Sequence, residues 1–424
     1  MSARRGLWQL AQRAFASHAG RPGEAVPAIS NAHRLAPGSS VIQVPQRLLM
    51  GPGPANADPR ILAAQSLPLL GHMHPPFLKI MDEISEGLRY TLQTDSKYTL
   101  MVSGTGHAGM EAAIANLLEP GEKIIGIWGT RVADLAARYG GDVIELKADA
   151  GRSFSLEELT TALETHKPAL LFLCQGESST GVHQSLAGLG DVCKRTGTLL
   201  LVDTVCSLGG VPFFFDKWGV DCMYSGSQKC LSAPPGGAPF ALSERALEKL
   251  KGRKTKPATF NLDMNLIGDY WGWFNSRSYH HTGMVSMCYA LREALSIVQE
   301  EGLDNMWSRH LEMHEMLWHG LKKLGLEPFV ERDADRQDPT PARTPLTRAG
   351  AGVTFCSRAP GAGVDWAAVV KNAMDKYYLE IAGGLGPTAG KVWRIGLMGY
   401  NARPQNVELV IDAFRDGLQK QGKL

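Results

Sequence analysis

The chain has 424 residues, 44% of them apolar and 20% charged, with a formal charge of +2. That is about two to three ordinary domains, with ample surface for a large core and the composition of a soluble globular protein, which excludes a disordered chain. Near-balanced charge with scattered Lys and Arg leaves no footprint for a nucleic-acid backbone, and no apolar run reaches the roughly 18 residues of a membrane span.

The first stretch carries Arg4, Arg5, Arg13 and Arg21 and no acid before Glu24. Over 5–16 it can form a helix with Leu7, Trp8, Leu10, Ala11, Ala14 and Phe15 biased to one face. This is the pattern of a mitochondrial transit peptide, the alternative being a disordered basic tail. The chain ends Gln421-Gly422-Lys423-Leu424, one residue from the SKL-type peroxisomal tripeptide, so a peroxisomal address is the second reading.

After a Pro- and Gly-rich lead-in, short apolar runs alternate with long helical patterns, the rhythm of an α/β fold around a mostly parallel sheet. Strands are expected at 99–102, 169–174, 198–203 and 221–225, each ending in a small or polar residue where a ligand-facing loop begins. Helices are expected at 76–93, 107–118, 131–139, 156–165 and 284–302, the last bridging two domains. Beyond it, helices at 305–324, 365–377 and 404–419 flank a poorly patterned Arg/Pro/Gly stretch at 331–363. The division expected is an N-terminal extension 1–45, a large domain 46–301 and a small α+β domain 302–424. The seven cysteines show neither a CxxC pair nor a zinc spacing, so no metal site is expected, and they read as buried thiols of a reducing compartment.

Three strand-end segments carry the chemistry. Ser103-Gly104-Thr105-Gly106-His107 is a glycine turn entering a helix, either a structural turn or a phosphate cradle of free N–H groups. Leu199-Leu200-Leu201-Val202-Asp203 ends an apolar strand in a carboxylate, either a helix cap or the partner of a buried cation such as a protonated pyridine nitrogen. Tyr224-Ser225-Gly226-Ser227-Gln228-Lys229 exposes a lysine among small residues, either a surface lysine or a Schiff-base amine. Turn, acid and lysine in this order form the layout of fold type I enzymes that use pyridoxal phosphate (PLP).

With Gly51-Pro52-Gly53-Pro54, Gly126-Ile127-Trp128-Gly129, Gly176-Glu177-Ser178-Ser179-Thr180-Gly181, Tyr279-His280-His281-Thr282, Gly383-Gly384-Leu385-Gly386 and Arg394-Ile395-Gly396, these segments resemble the class V aminotransferases, and within them the alanine:glyoxylate and serine:pyruvate branch. The resemblance runs from about Leu48 to the end of the chain.

It implies PLP as cofactor and an amino group moved from alanine or serine to glyoxylate or pyruvate by a ping-pong route, which would turn glyoxylate into glycine. Lys229 would hold the cofactor as an aldimine and shuttle the proton, Asp203 would keep the ring nitrogen protonated, and Trp128 would stack on the ring. Ser178 would bond near the phenolic oxygen and the substrate. Thr105, Gly106, His107 and Gln228 would hold the phosphate, joined by Tyr279 and Thr282 from the other subunit of a homodimer with shared sites. Arg394 would clamp the substrate carboxylate, and the loop at Gly53 would limit substrate size.

The chain departs from the family's pattern in two places. Only residues 122–127 stand where the family has a full strand and a turn before Trp128, and 332–358 is longer and richer in Arg and Pro than the family's compact strand region. Two rivals are a cysteine desulfurase or lyase, for which Cys356 is the late-chain thiol, and an inactive PLP-binding dimer.

Overall fold

Apolar runs without internal charge suit strands buried on both faces, and the chain places them in one sheet. A computed structural model describes residues 42–127, 130–330, 355–358 and 363–424. The extension 1–41, Trp128, and most of the Arg/Pro stretch therefore lie outside the described residues. Among those described, the central sheet has seven strands: β1 Thr99–Ser103, β2 Lys123–Ile127, β3 Asp142–Leu146, β4 Leu170–Cys174, β5 Leu199–Asp203, β6 Cys222–Tyr224 and β7 Gly237–Leu242. Their order is β1-β7-β6-β5-β4-β2-β3, parallel throughout except for β7, which runs antiparallel between β1 and β6. Ser103, Cys174, Asp203 and Tyr224 consequently end their strands at one edge, where sites of open α/β sheets form.

The four expected strands are β1, β4, β5 and β6 within a residue or two. The other three had weaker signals. β3 lies at the sheet edge and is half exposed, so it reads as polar. β7 contains Pro239, whose missing N–H argues against an interior strand; here its carbonyl accepts the Ser225 N–H at 2.9 Å. The shortened segment before Trp128 still forms a complete strand, β2, paired on both sides.

A short helix not expected from the sequence, α1 Pro59–Gln65, precedes α2 Pro75–Leu92, α3 Gly106–Leu117, α4 Thr130–Arg138 and α5 Leu156–His166, which follow the expected spans. Ser155 and Glu158 close a capping box on α5, and Gln93 ends α2 in the left-handed conformation. Later come α6 Leu189–Thr196, α7 Glu244–Lys251, α8 Met264–Tyr270, α9 Val285–Glu301, α10 Leu303–Lys323, α11 Trp366–Tyr377 and α12 Pro404–Gln419.

Residues 47–424 form one compact unit with two apolar cores. The first surrounds the central sheet. The second joins α11, α12 and a small antiparallel sheet of β8 Glu327–Pro328, β9 Phe355–Arg358, β10 Ala382–Gly383 and β11 Val392–Ile395, in the order β8-β9-β11-β10. The bridge between cores is not the expected helix 284–302. In α9, Met287, Leu291, Leu295 and Val298 all belong to the first core, whereas α10 puts Met306 and Trp307 in the first and Met313, Leu317 and Leu321 in the second. The chain near Leu48 also crosses over, pairing Leu48–Leu49 with Leu379–Glu380.

Candidate active site

Lys229 follows β6 in a turn whose two serines are both tied down. Ser225 Oγ donates to the Thr204 carbonyl at 3.0 Å, Ser227 Oγ to the Pro234 carbonyl at 2.6 Å, and the Gln228 carbonyl accepts the Ala55 N–H at 2.9 Å. The turn is therefore rigid and points its lysine toward the Gly-Pro loop. Lys229 Nζ donates to the Pro52 carbonyl. A Cβ on Gly53 would lie 2.1 Å from that nitrogen, and Gly53 has φ +118°, so only glycine lets the loop cross the amine. The loop is held in turn by the Gly396 N–H, which donates to the Met50 carbonyl at 2.8 Å. Burial lowers the Lys229 pKa and the nearby Arg394 charge adds to this, while Asp203 and the thiols of Cys206 and Cys230 oppose it.

Asp203 ends β5 beside Tyr224, its register partner on β6. One carboxylate oxygen accepts the Val205 N–H at 2.7 Å and the other accepts the Tyr224 hydroxyl at 2.5 Å. Burial nevertheless raises the carboxyl above its usual range, against those two donors and the positive charges of His107 and Lys229. Such a carboxylate has room for one more positive partner.

At the end of β1, Thr105 caps α3 without a side-chain cap bond, so the first N–H groups of the helix stay available to an anion. Gly106 sits where a Cβ would come within 2.9 Å of Val205, which brings this turn against the Asp203 segment. His107 is exposed beside Arg131, 3.0 Å away. The side-chain oxygen of Gln228 is buried without a partner.

The hairpin after β4 is organised by Glu177, whose carboxylate accepts the N–H and hydroxyl of both Ser179 and Thr180 at 2.6–2.8 Å. This presents the Ser178 carbonyl to Arg394, which donates to it at 3.3 Å and to the Gly383 carbonyl at 2.8 Å. Lys229, Asp203, Gly106, His107, Gln228, Gly53, Ser178 and Arg394 are thus gathered at one sheet edge. Tyr279 is 66% exposed and Thr282 is also exposed. Trp128 lies outside the described residues. Cys356 occupies the middle of β9 in register with Arg394, which is strand and not a mobile loop.

A buried carboxylate at Asp203, a lysine with a lowered pKa and an anion-ready helix start fit PLP: cationic ring nitrogen, aldehyde and phosphate. Among the described residues no group of side chains could hold a metal ion. The sequence reading passed over Tyr224 and Glu177 as site residues, although both stand inside the quoted motifs.

A sequence model of the family described as aminotransferase class-V matches residues 63–350. The chain is 46% identical over 383 residues to an alanine–glyoxylate aminotransferase of Callithrix jacchus, covering 89% of each. It is 34% identical over 389 residues to an (S)-ureidoglycine–glyoxylate transaminase of Bacillus subtilis, covering 87% of this chain and 89% of that one. The crystal structure of an alanine–glyoxylate aminotransferase from Nostoc sp. superimposes with a TM-score of 0.86 at 47% identity, over 92% of this chain and 100% of that one.

Proposed function

This chain belongs to the class V aminotransferases, and we infer that it moves an amino group from alanine or serine to glyoxylate or pyruvate, with PLP carried on Lys229. The observation that carries the reading is the Lys229 amine, its charge disfavoured by burial, set beside the Asp203–Tyr224 pair and under the Gly53 loop. When bound, PLP supplies an electrophilic carbon for the amine and a ring that accepts the electron pair left at Cα.

The side chains would do the rest. Lys229, neutral more readily than an exposed lysine, is competent as nucleophile and then as the base that takes the Cα proton and returns it. Asp203 would hold a proton on the ring nitrogen, with the Tyr224 hydroxyl, which donates to it, keeping the carboxylate oriented for that task. Thr105, Gly106, His107 and Gln228 would hold the phosphate, and Trp128 would cover the ring. Arg394, steadied by the carbonyls of Gly383 and Ser178, would bind the substrate carboxylate. The Gly53 loop lies so close to the amine that it leaves room for small side chains, which supports alanine, serine and glyoxylate as the substrate class.

The exposure of Tyr279 and Thr282 supports a homodimer in which each subunit lends these residues to the other's phosphate. The arginine-rich, acid-free start supports a mitochondrial address, with the terminal Gly-Lys-Leu as a weaker peroxisomal one. A reporter carrying residues 1–30 should enter mitochondria; a reporter left in the cytosol ends that reading.

The test of the activity is the absorbance spectrum of purified protein and of Lys229→Ala. The wild type should show a visible band that L-alanine bleaches and glyoxylate restores, and the variant should lack it. A wild-type band indifferent to both alanine and serine would overturn the assignment.

A further inference from the structure

Ser103 stands one residue before the Gly104 to His107 turn, and its hydroxyl lies 2.7 Å from Nε2 of His281. Nδ1 of His281 lies 2.8 Å from Nδ1 of His280, whose Nε2 lies 3.1 Å from the Phe260 carbonyl. A carbonyl only accepts, so His280 carries its proton on Nε2 and, as a neutral ring, accepts at Nδ1. His281 must then donate from Nδ1, and its Nε2 accepts the Ser103 proton. Every donor runs one way, from Ser103 through His281 and His280 to Phe260.

This relay joins the start of the phosphate turn to the loop that bears Tyr279 and Thr282. We propose that Ser103, His281 and His280 are positioning residues that lock these two elements together and so set how tightly the protein holds the PLP phosphate. The proposal rests on the PLP reading above. None of the three need touch the cofactor; they act by fixing the backbone on which Thr105 and Gly106 stand for the chain's own phosphate and Tyr279 and Thr282 for the partner subunit's.

The donors run in this direction only while both imidazoles are neutral. A second proton on His280 would put hydrogens on both facing Nδ1 atoms and break the central bond, whereas one on His281 would sit on Nε2 and turn the Ser103 hydroxyl from donor to acceptor. The groups facing the pair are Tyr270, edge-on to His281 at 5.3 Å, His72, which bonds Tyr270 at 3.0 Å, Tyr279 against His72 at 5.6 Å, Phe260 stacked on His280 at 5.2 Å, and Ser103. None is a carboxylate that would steady an imidazolium. Burial, helped by His280 and His72, also holds the His281 pKa below the ordinary histidine range.

The test titrates apoprotein with PLP and follows tryptophan quenching at pH 8 and pH 6, for wild type, Ser103→Ala, His281→Phe and the double variant. Each single variant should bind PLP about tenfold more weakly, the worth of one well-placed hydrogen bond, with a smaller change in kcat at saturating PLP. The double variant should be no weaker than the singles, because both remove the same bond. Wild type should lose more affinity than His281→Phe between pH 8 and pH 6. Ser103→Thr, which keeps the donor, should restore wild-type affinity and covers the case in which His281→Phe does not fold. Variants that bind like wild type at both pH values, or single effects that simply add, overturn the relay. A wild type that takes up no PLP overturns instead the reading on which it rests.

Discussion

Asp203 shows what a buried carboxylate costs. Burial raises its pKa, so the folded protein binds a proton there more tightly than the unfolded chain does. Stability therefore falls as pH rises from the unfolded pKa through the raised folded one, and at neutral pH the ionised Asp203 is a net loss. Asp203→Asn keeps an acceptor for the Val205 N–H and a partner for the Tyr224 hydroxyl while removing the charge. The apoprotein of that variant should melt at a higher temperature than wild type, by a margin that grows with pH up to neutrality, while kcat falls by roughly 100-fold or more for want of ring protonation. Calorimetry at several pH values with steady-state rates checks both. Asp203 and Lys229 were legible in the sequence because a strand-end acid and a lysine among small residues are local signals. Tyr224 was not, because its contact with Asp203 follows from β5 and β6 being neighbours, which neither segment records.

The turn Gly399–Asn401 ties the Lys229 loop to the second core. A Cβ on Gly399 would lie 2.2 Å from the Cys230 carbonyl and 2.0 Å from Ser232 Oγ, so this turn presses against the residues just after Lys229. Its Gly399 N–H donates to Nε2 of the buried His310 on α10 at 2.9 Å, while Nδ1 bonds the Met306 carbonyl at 2.7 Å. The ring is thus neutral, and burial with the Arg309 charge brings its pKa down from 6.5 to about 4. Between these values the unfolded chain takes up a proton that the folded protein refuses, so stability is present above about pH 6.5 and is lost toward pH 4. His310→Gln should be less stable than wild type at pH 7, with the gap closing toward pH 4 by up to roughly 3 kcal/mol. Urea unfolding at pH 7, 5.5 and 4.5 measures it, and a gap constant with pH would count against the His310 assignment. The helix itself was legible from its period, but its role as bridge was not, since α9 and α10 have similar patterns and only their depth in two separate cores tells them apart.

At the scale of the molecule, the proposed sharing of sites between two subunits has a direct consequence. Lys229→Ala chains and chains carrying both Tyr279→Ala and Thr282→Ala should each form impaired homodimers. Mixed dimers from co-refolding hold one site with every group intact, its lysine from one chain and its phosphate residues from the other. Activity should therefore exceed the average of the two parents; sites complete within a single chain would give only that average.

The sequence by itself determined the α/β class, the positions of most helices and inner strands, and the order of turn, acid and lysine, because each depends on a short-range pattern of burial or on a few adjacent residues. Tertiary structure alone decided what those residues meet. The Gly53 loop reaches Lys229 across 177 residues, Arg394 reaches Ser178 across 216, and Ser103 reaches His281 across 178. These encounters follow from strand order, from the antiparallel insertion of β7 and from the return of the chain through α10 to the second core. Hydrophobic periodicity says which face of an element is buried but not which neighbour buries it, and that choice is made by the packing of the whole.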